Sequence, residues 1–159
     1  MANFLTYYLL LGGNEHNTLE LFEESIALLS KEGSVFKQSK IYQSEPWGYQ
    51  SEKMFFNKAI QLKTSLNPEE LLNVIHHIEK KLGRTRNNNG YQDRGIDIDI
   101  LLYENDVYSS SNLKIPHPLL HQRPFALAPL NEICPDYMHP ILHKTLAELL
   151  LQHNTKLGY

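Results

Sequence analysis

The stretch Arg94-Gly95-Ile96-Asp97-Ile98-Asp99-Ile100 sets two carboxylates two residues apart within an aliphatic run. Alternate side chains of a strand share a face, so Ile96, Ile98 and Ile100 point one way and Asp97 and Asp99 the other. Neighbouring carboxylates repel, and burying them unpaired is costly. A hard divalent cation relieves the repulsion, and Mg²⁺ takes one or two carboxylates and fills its shell with water and phosphate oxygens. A strand with one solvent-facing polar side shows the same alternation. The preceding segment favours the chemical reading. Arg84, Arg86 and Arg94 bracket a polar loop, residues 87–93. Guanidinium groups beside a carboxylate pair suit a nucleoside triphosphate, with metal on the phosphates and arginines neutralising the remaining charge. The loop is long, polar and poor in apolar anchors, as a lid would be, although an exposed loop with incidental arginines has that composition too.

A second group lies on a strand expected over residues 53–64. Phe55 and Asn57 share a face there, and an aromatic plane beside a carboxamide can stack a flat heterocycle and read its hydrogen-bonding edge. A core phenylalanine and a strand-end asparagine are the plainer explanation. Downstream, Ile115-Pro116-His117-Pro118 and Arg123-Pro124-Phe125 add a His, an Arg and another aromatic ring in a proline frame. Glycine-rich nucleotide motifs are absent, and a tight turn accounts for Gly12-Gly13-Asn14. Cys134, His139 and His143 have a zinc-like spacing, but a structural zinc site wants four ligands and no fourth is evident. His76, His77 and His121 read as helix-surface or pocket-rim residues, and Trp47 as core or as part of a Pro-Trp-Gly turn ahead of Phe55.

The elements that must position these groups follow from periodicity. Residues 4–11 form a buried strand that Gly12-Gly13-Asn14 stops. Leu19, Phe22, Ile26 and Leu29 mark one face of a helix, with Asn17 and Glu20 as a capping pair and Gly33 past its end. Residues 34–44 read as one strand and 53–64 as the next. The following helix carries the strongest signals: Asn67 as cap, Pro68 at the first position, Glu70 completing a capping box, a stripe of Leu71, Ile75, Ile78 and Leu82, then Lys80, Lys81 and Gly83 at its end. Residues 95–103 give another strand. The order βαββαβ predicts an α/β (α+β) chain with a ferredoxin-like core, an antiparallel sheet and additional C-terminal helices near residues 118–130 and 145–151.

The 159 residues suit one domain, expected over 1–159, and 15 Lys+Arg against 18 Asp+Glu leave a net charge of −3. That balance argues against a nucleic-acid coat. A ferredoxin-like RNA-binding module would want aromatic pairs on its central strands and a basic surface. A small-molecule-sensing module would use the same pocket without needing Asp97 or Asp99. The single Cys134 fits a reducing compartment, no apolar run reaches membrane-span length, and the N-terminus lacks signal-peptide features, so a cytoplasmic chain is expected.

Taken in order, Leu11-Gly12-Gly13-Asn14, Phe55-Phe56-Asn57-Lys58-Ala59, residues 66–72, Glu79 through Leu82-Gly83-Arg84, Arg94 with Asp97-Ile98-Asp99-Ile100-Leu101, Pro116-His117 and Arg123-Pro124-Phe125 resemble the hydroxymethyldihydropterin pyrophosphokinase family over about residues 7–151. The resemblance implies a monomeric, Mg²⁺-dependent enzyme that moves pyrophosphate from ATP to a pterin alcohol in folate biosynthesis. It implies that Asp97 and Asp99 hold two Mg²⁺ ions and that Arg84 and Arg94, assisted by Arg86, bind phosphate and drive catalysis. His76, Glu79, Ile100, His117 and Arg123 would meet the nucleotide. Phe55 and Phe125 would sandwich the pterin ring, Asn57 would bond its edge, and Ser44, Glu45 and Trp47 would complete the pocket, with Tyr91 in the lid. The sequence departs from the family pattern at Gly13, where Ser is usual, at Phe55, commonly Tyr, and at Tyr91, usually Trp. Gln92-Asp93 replaces a small residue and Pro, and Gly90 a basic residue seen in some members.

Overall fold

The computed structural model describes residues 3–44, 54–83 and 95–156. Strand β1 (Leu5–Gly13) leads into helix α1 (Thr18–Leu29), then β2 (Gly33–Gln38), β3 (Tyr42–Ser44), β4 (Phe55–Thr64), α2 (Pro68–Lys81) and β5 (Asp97–Tyr103). The main sheet runs β2-β4-β1-β5, with β3 also on β4, and every pairing is antiparallel. Counting β2 and β3 as one interrupted strand, this is the expected βαββαβ arrangement. A hairpin follows that periodicity does not signal, β6 (Tyr108–Ser109) with β7 (Lys114–Ile115). A 3₁₀ turn at Leu120–Gln122 then precedes α3 (Pro124–Ile133) and α4 (Leu146–Lys156).

Both faces of the sheet are covered, which is why β1 is buried along nearly its whole length. On one face Tyr7, Leu9, Leu11, Ile60, Ile98 and Ile100 pack against Leu21, Phe22 and Ile26 of α1 and Leu71, Ile75 and Ile78 of α2. On the other, Tyr8, Leu10, Ala59, Leu101 and Leu102 meet Ala126, Leu127 and Leu130 of α3 and Leu149 of α4.

Helix α2 forms as its sequence predicts. Asn67 Oδ1 accepts from the Glu70 amide, and Glu70 Oε1 accepts from the Asn67 amide, both at 2.9 Å. Gly83 follows the helix at φ 94°, in the left-handed region. Helix α4 has a matching box not read from the sequence, in which the Glu148 amide donates to Thr145 Oγ1 at 3.1 Å.

Four expectations need correction. Asn17 makes no side-chain capping bond, so its pairing with Glu20 is not formed. The helix start is instead tied by Thr18, whose hydroxyl accepts from the Glu15 amide at 3.0 Å and donates to the Gly95 carbonyl at 2.8 Å. Leu19 is 47% exposed, and Leu21 takes the place expected for it on the buried stripe. The strand expected over 34–44 is interrupted at Ser39, whose Oγ accepts from the Ala59 amide at 2.9 Å where a backbone carbonyl would have completed a ladder. Lastly, β1 continues through Gly12, paired on both sides, and Gly13, paired with Phe56 of β4. These glycines answer to close approach rather than to a turn: a Cβ on Gly13 would overlap the Gly95 carbonyl and lie 2.7 Å from Thr18 Oγ1.

Candidate active site

Antiparallel register gathers the candidate residues at one end of the sheet. Gly12 of β1 pairs with Asn57 of β4 on one side and with Asp97 of β5 on the other. The next row is Ala59, Leu10 and Asp99. Directly paired residues share a face, and Leu10 and Ala59 belong to the cluster under α3. Asn57, Gly12, Asp97 and Asp99 therefore all face the α3 side. Strands about 4.8 Å apart put the Asn57 and Asp97 backbones about 10 Å from each other, with Gly12 as the floor between them. A Cβ on Gly12 would come within 3.2 Å of Asn57 Oδ1.

On β5 the expected alternation holds: Ile98 and Ile100 are buried against α1 and α2, and Asp97 and Asp99 are half-buried on the opposite face. At the other end of the row, Asn57 is 3% exposed and its Nδ2 donates to Ser44 Oγ at 3.0 Å. Phe55, half-buried, pairs with Ser44 and shares the Asn57 face. Facing them, α3 opens with Pro124 and Phe125, and the Arg123 guanidinium lies 5.7 Å from the Phe125 ring centroid.

His117 joins this end of the sheet to the β7 connection. Its amide donates to the Leu101 carbonyl at 3.0 Å, and its Nδ1 accepts from the Leu119 amide at 3.1 Å. An accepting Nδ1 leaves the neutral ring's proton on Nε2. The 3.5 Å approach of Arg123 Nη1 to Nε2 is then packing between two donors. Burial first and the Arg123 charge second push the His117 pKa down to about 4 against the pull of Asp97. The ring is therefore neutral at pH 7, with an N–H to offer.

Two expected nucleotide residues on α2 lie in different surroundings. His76 is exposed, whereas Glu79 is 3% exposed and its Oε2 accepts from the Ile98 amide at 2.9 Å. Ile100 is buried in the core against α1 and α2. Glu45, Trp47, Arg84, Arg86, Tyr91 and Arg94 lie outside the described residues. Cys134 and His139 are occupied otherwise than at a metal. The Cys134 thiol donates to the Leu130 carbonyl at 3.4 Å, and burial pushes its pKa up to about 12. His139 Nδ1 accepts from the Ile141 and Leu142 amides at 3.2 and 3.1 Å. Among the described residues no group of three or more His, Cys, Asp or Glu side chains could hold a metal.

Sequence reading missed two contributors. Gly12 reads as a turn glycine in isolation, and only register reveals it as the floor. Glu132 of α3 accepts from the Lys40 amide at 3.2 and 3.1 Å through its two oxygens and from the Tyr42 hydroxyl at 2.7 Å, tying the helix that carries Phe125 to the strand that ends in Ser44. No local pattern marks an exposed glutamate as a tie across 90 residues of chain.

A sequence profile described as 7,8-dihydro-6-hydroxymethylpterin-pyrophosphokinase (HPPK) matches residues 8–135. The chain belongs to that family. Its relatives include proteins named 2-amino-4-hydroxy-6-hydroxymethyldihydropteridine pyrophosphokinase. The one from Aquifex aeolicus is 39% identical, over 95% of this chain and 94% of its own. The one from Bacillus subtilis is 41% identical, over 80% of this chain and 77% of its own. Among solved structures, a Plasmodium falciparum HPPK-DHPS crystal structure with SDX-DHP superimposes with a TM-score of 0.83. It shares 18% identity over 99% of this chain, which spans 47% of that longer polypeptide. At that identity the likeness concerns the fold, and it carries the α+β class of the pyrophosphokinase family. No helix among the described residues is long and apolar enough to cross a membrane.

Proposed function

We propose that this member of the pyrophosphokinase family transfers the pyrophosphoryl group of ATP to the hydroxymethyl oxygen of 6-hydroxymethyl-7,8-dihydropterin, a step of folate biosynthesis. The observation that carries the reading is the row Asn57–Gly12–Asp97, which puts a heterocycle-reading amide and a phosphate-side carboxylate on one face of the sheet. The pterin lies over Gly12 between Phe55 and Phe125, with its edge on Asn57. The hydroxymethyl oxygen gives up its proton and attacks the β-phosphorus, the bond from that phosphorus to the α,β-bridging oxygen breaks, and AMP leaves. Positioning and charge stabilisation account for catalysis without a covalent enzyme intermediate.

Asp97 and Asp99 fit Mg²⁺: two hard, half-exposed carboxylates on one face leave the remaining positions to water and phosphate. We assign them two ions, which when bound would neutralise phosphate charge. The neutral His117 and Arg123 supply an N–H donor and a fixed cation to the triphosphate. Arg84, Arg86 and Arg94 add the charge that family resemblance assigns them, and the same resemblance assigns Glu45 and Trp47 to the pterin and Tyr91 to the lid. The reading treats residues 1–159 as one domain, acting as a cytoplasmic monomer.

Incubating the protein with ATP, Mg²⁺ and hydroxymethyldihydropterin should release AMP with the pterin diphosphate. Absence of AMP from folded protein that binds pterin would overturn the reading, and ADP in its place would indicate single-phosphate transfer.

A further inference from the structure

Among the described residues strand β5 is an edge of the main sheet and pairs there only with β1. Every second backbone N–H of such a strand points away from its partner, and one that is buried needs an acceptor from elsewhere. The Ile98 N–H is of this kind. Ile98 is buried, and the acceptor is Glu79 Oε2 of α2, itself almost wholly buried. That N–H belongs to the peptide joining Asp97 to Ile98, between the two candidate metal carboxylates.

We infer that Glu79 is a positioning residue for the Asp97–Asp99 pair, holding the β5 backbone so that both carboxylates are presented on the α3 face. This rests on the pyrophosphokinase reading above. The geometry gives the tie two ends. Glu79 fixes the outer edge of β5 at Ile98, and the His117 amide fixes it at the Leu101 carbonyl, so the two bonds bracket Asp99. The anchor is firm because Ile75 and Ile78, on the turn before Glu79, are buried in the core.

Partners that orient metal ligands are typically worth 10–100-fold in metal affinity. The test uses two measurements that need no turnover. Mn²⁺, as a probe for Mg²⁺, is titrated by electron paramagnetic resonance in the presence of ATP, and Ile98 amide exchange is followed by NMR in metal-free protein. E79A should weaken Mn²⁺ binding 10–100-fold and accelerate Ile98 exchange relative to the other β5 amides. E79Q keeps an acceptor oxygen and should hold Mn²⁺ affinity within about threefold of wild type and Ile98 protected. If E79A does not fold, E79D, shorter by one methylene, takes its place with the same expectation. Wild-type affinity in E79A or E79D, or a loss in E79Q as large as in either, would overturn the assignment. D97A run in parallel separates the two levels. Should D97A bind Mn²⁺ as wild type does, the carboxylate-pair reading itself fails, whatever Glu79 does.

Discussion

Replacing Gly12 with valine tests whether the Asn57–Gly12–Asp97 row is the substrate floor. The backbone tolerates the change. Gly12 is an ordinary paired strand residue, its φ is not among the positive values, and valine suits a strand better than glycine by up to about 1 kcal/mol. Against this stands one tight contact, the added Cβ at 3.2 Å from Asn57 Oδ1, which a small shift of the side chain relieves, the Phe56 carbonyl at 3.8 Å being in ordinary van der Waals contact. The net stability change should therefore be within about 1 kcal/mol, a few degrees in melting temperature. The functional cost is far larger, because the two γ-methyl groups rise into the space between the pterin-reading amide and the phosphate-side carboxylate. Lifting a bound substrate by about 1 Å costs on the order of 10²-fold in rate, or about 2.7 kcal/mol of transition-state stabilisation. The assay is kcat/KM for AMP release alongside thermal melting by circular dichroism. Near-wild-type kcat/KM in a folded G12V protein would refute the placement of substrate over this row. Should G12V fail to fold, G12A brings only the 3.2 Å contact, and about a tenfold rise in the pterin KM is expected.

Asp97→Ala or Asp99→Ala should cut turnover by at least about 10²–10³-fold while leaving the fold intact by circular dichroism; unchanged turnover in either would remove the pair from the metal site. Glu132→Ala deletes the acceptor of the Lys40 amide and the Tyr42 hydroxyl and should cost about 1–2 kcal/mol in urea unfolding, with a weaker pterin KM because Ser44 and Asn57 lie beyond the tie; a change below about 0.3 kcal/mol in the same unfolding analysis would dismiss it. His139 has its pKa lowered by burial, helped by His121 and His143. Below pH 6.5 the folded state then binds fewer protons there than the unfolded state, so stability present above that pH is lost on acidification. Between pH 7.5 and 5.5 wild type should lose more stability than H139N, whose Oδ1 can still accept the Ile141 and Leu142 amides, and parallel losses would dismiss the titration of His139.

What the sequence made legible depended on whether the decisive interaction was local. Helix α2 is specified by groups three residues apart, so Asn67 and Glu70 announce it, and the structure pairs them as expected. The face of Asp97 and Asp99 follows from a period of two. Ser39 breaks a strand by reaching Ala59, twenty residues away, and nothing near Ser39 foretells that partner. Leu102 shows the limit of periodicity more sharply. Strict alternation would place it with Ile98 and Ile100, but the register with β1 shifts between Tyr8 and Leu9, leaving Leu101 as an extra residue. Leu101 and Leu102 consequently both enter the cluster beneath α3. Glu79 was a candidate only through the family resemblance, and its hydrogen bond to the outer edge of β5 was not legible at all.

The location of the site follows from where the cover over the sheet ends. On the α1–α2 face apolar side chains continue to Leu11 and Ile98, one register pair beyond Leu10 and Asp99. On the α3 face the apolar side chains end with Leu10 and Ala59, and Asp99 already interrupts that row on β5. One row further on, the α3 face presents Asn57, Gly12 and Asp97, an amide, a hydrogen and a carboxylate. Asn57 and Gly12 are buried there, yet neither they nor Asp97 continues the apolar layer that Leu10 and Ala59 belong to. Phe125 marks the border, because it packs against the α3–α4 cluster while standing at the helix start that faces the row. In the proposed placement, a flat heterocycle sliding under that ring would continue the apolar layer where the protein's own side chains stop, and its polar edges would fall on the groups that replace them.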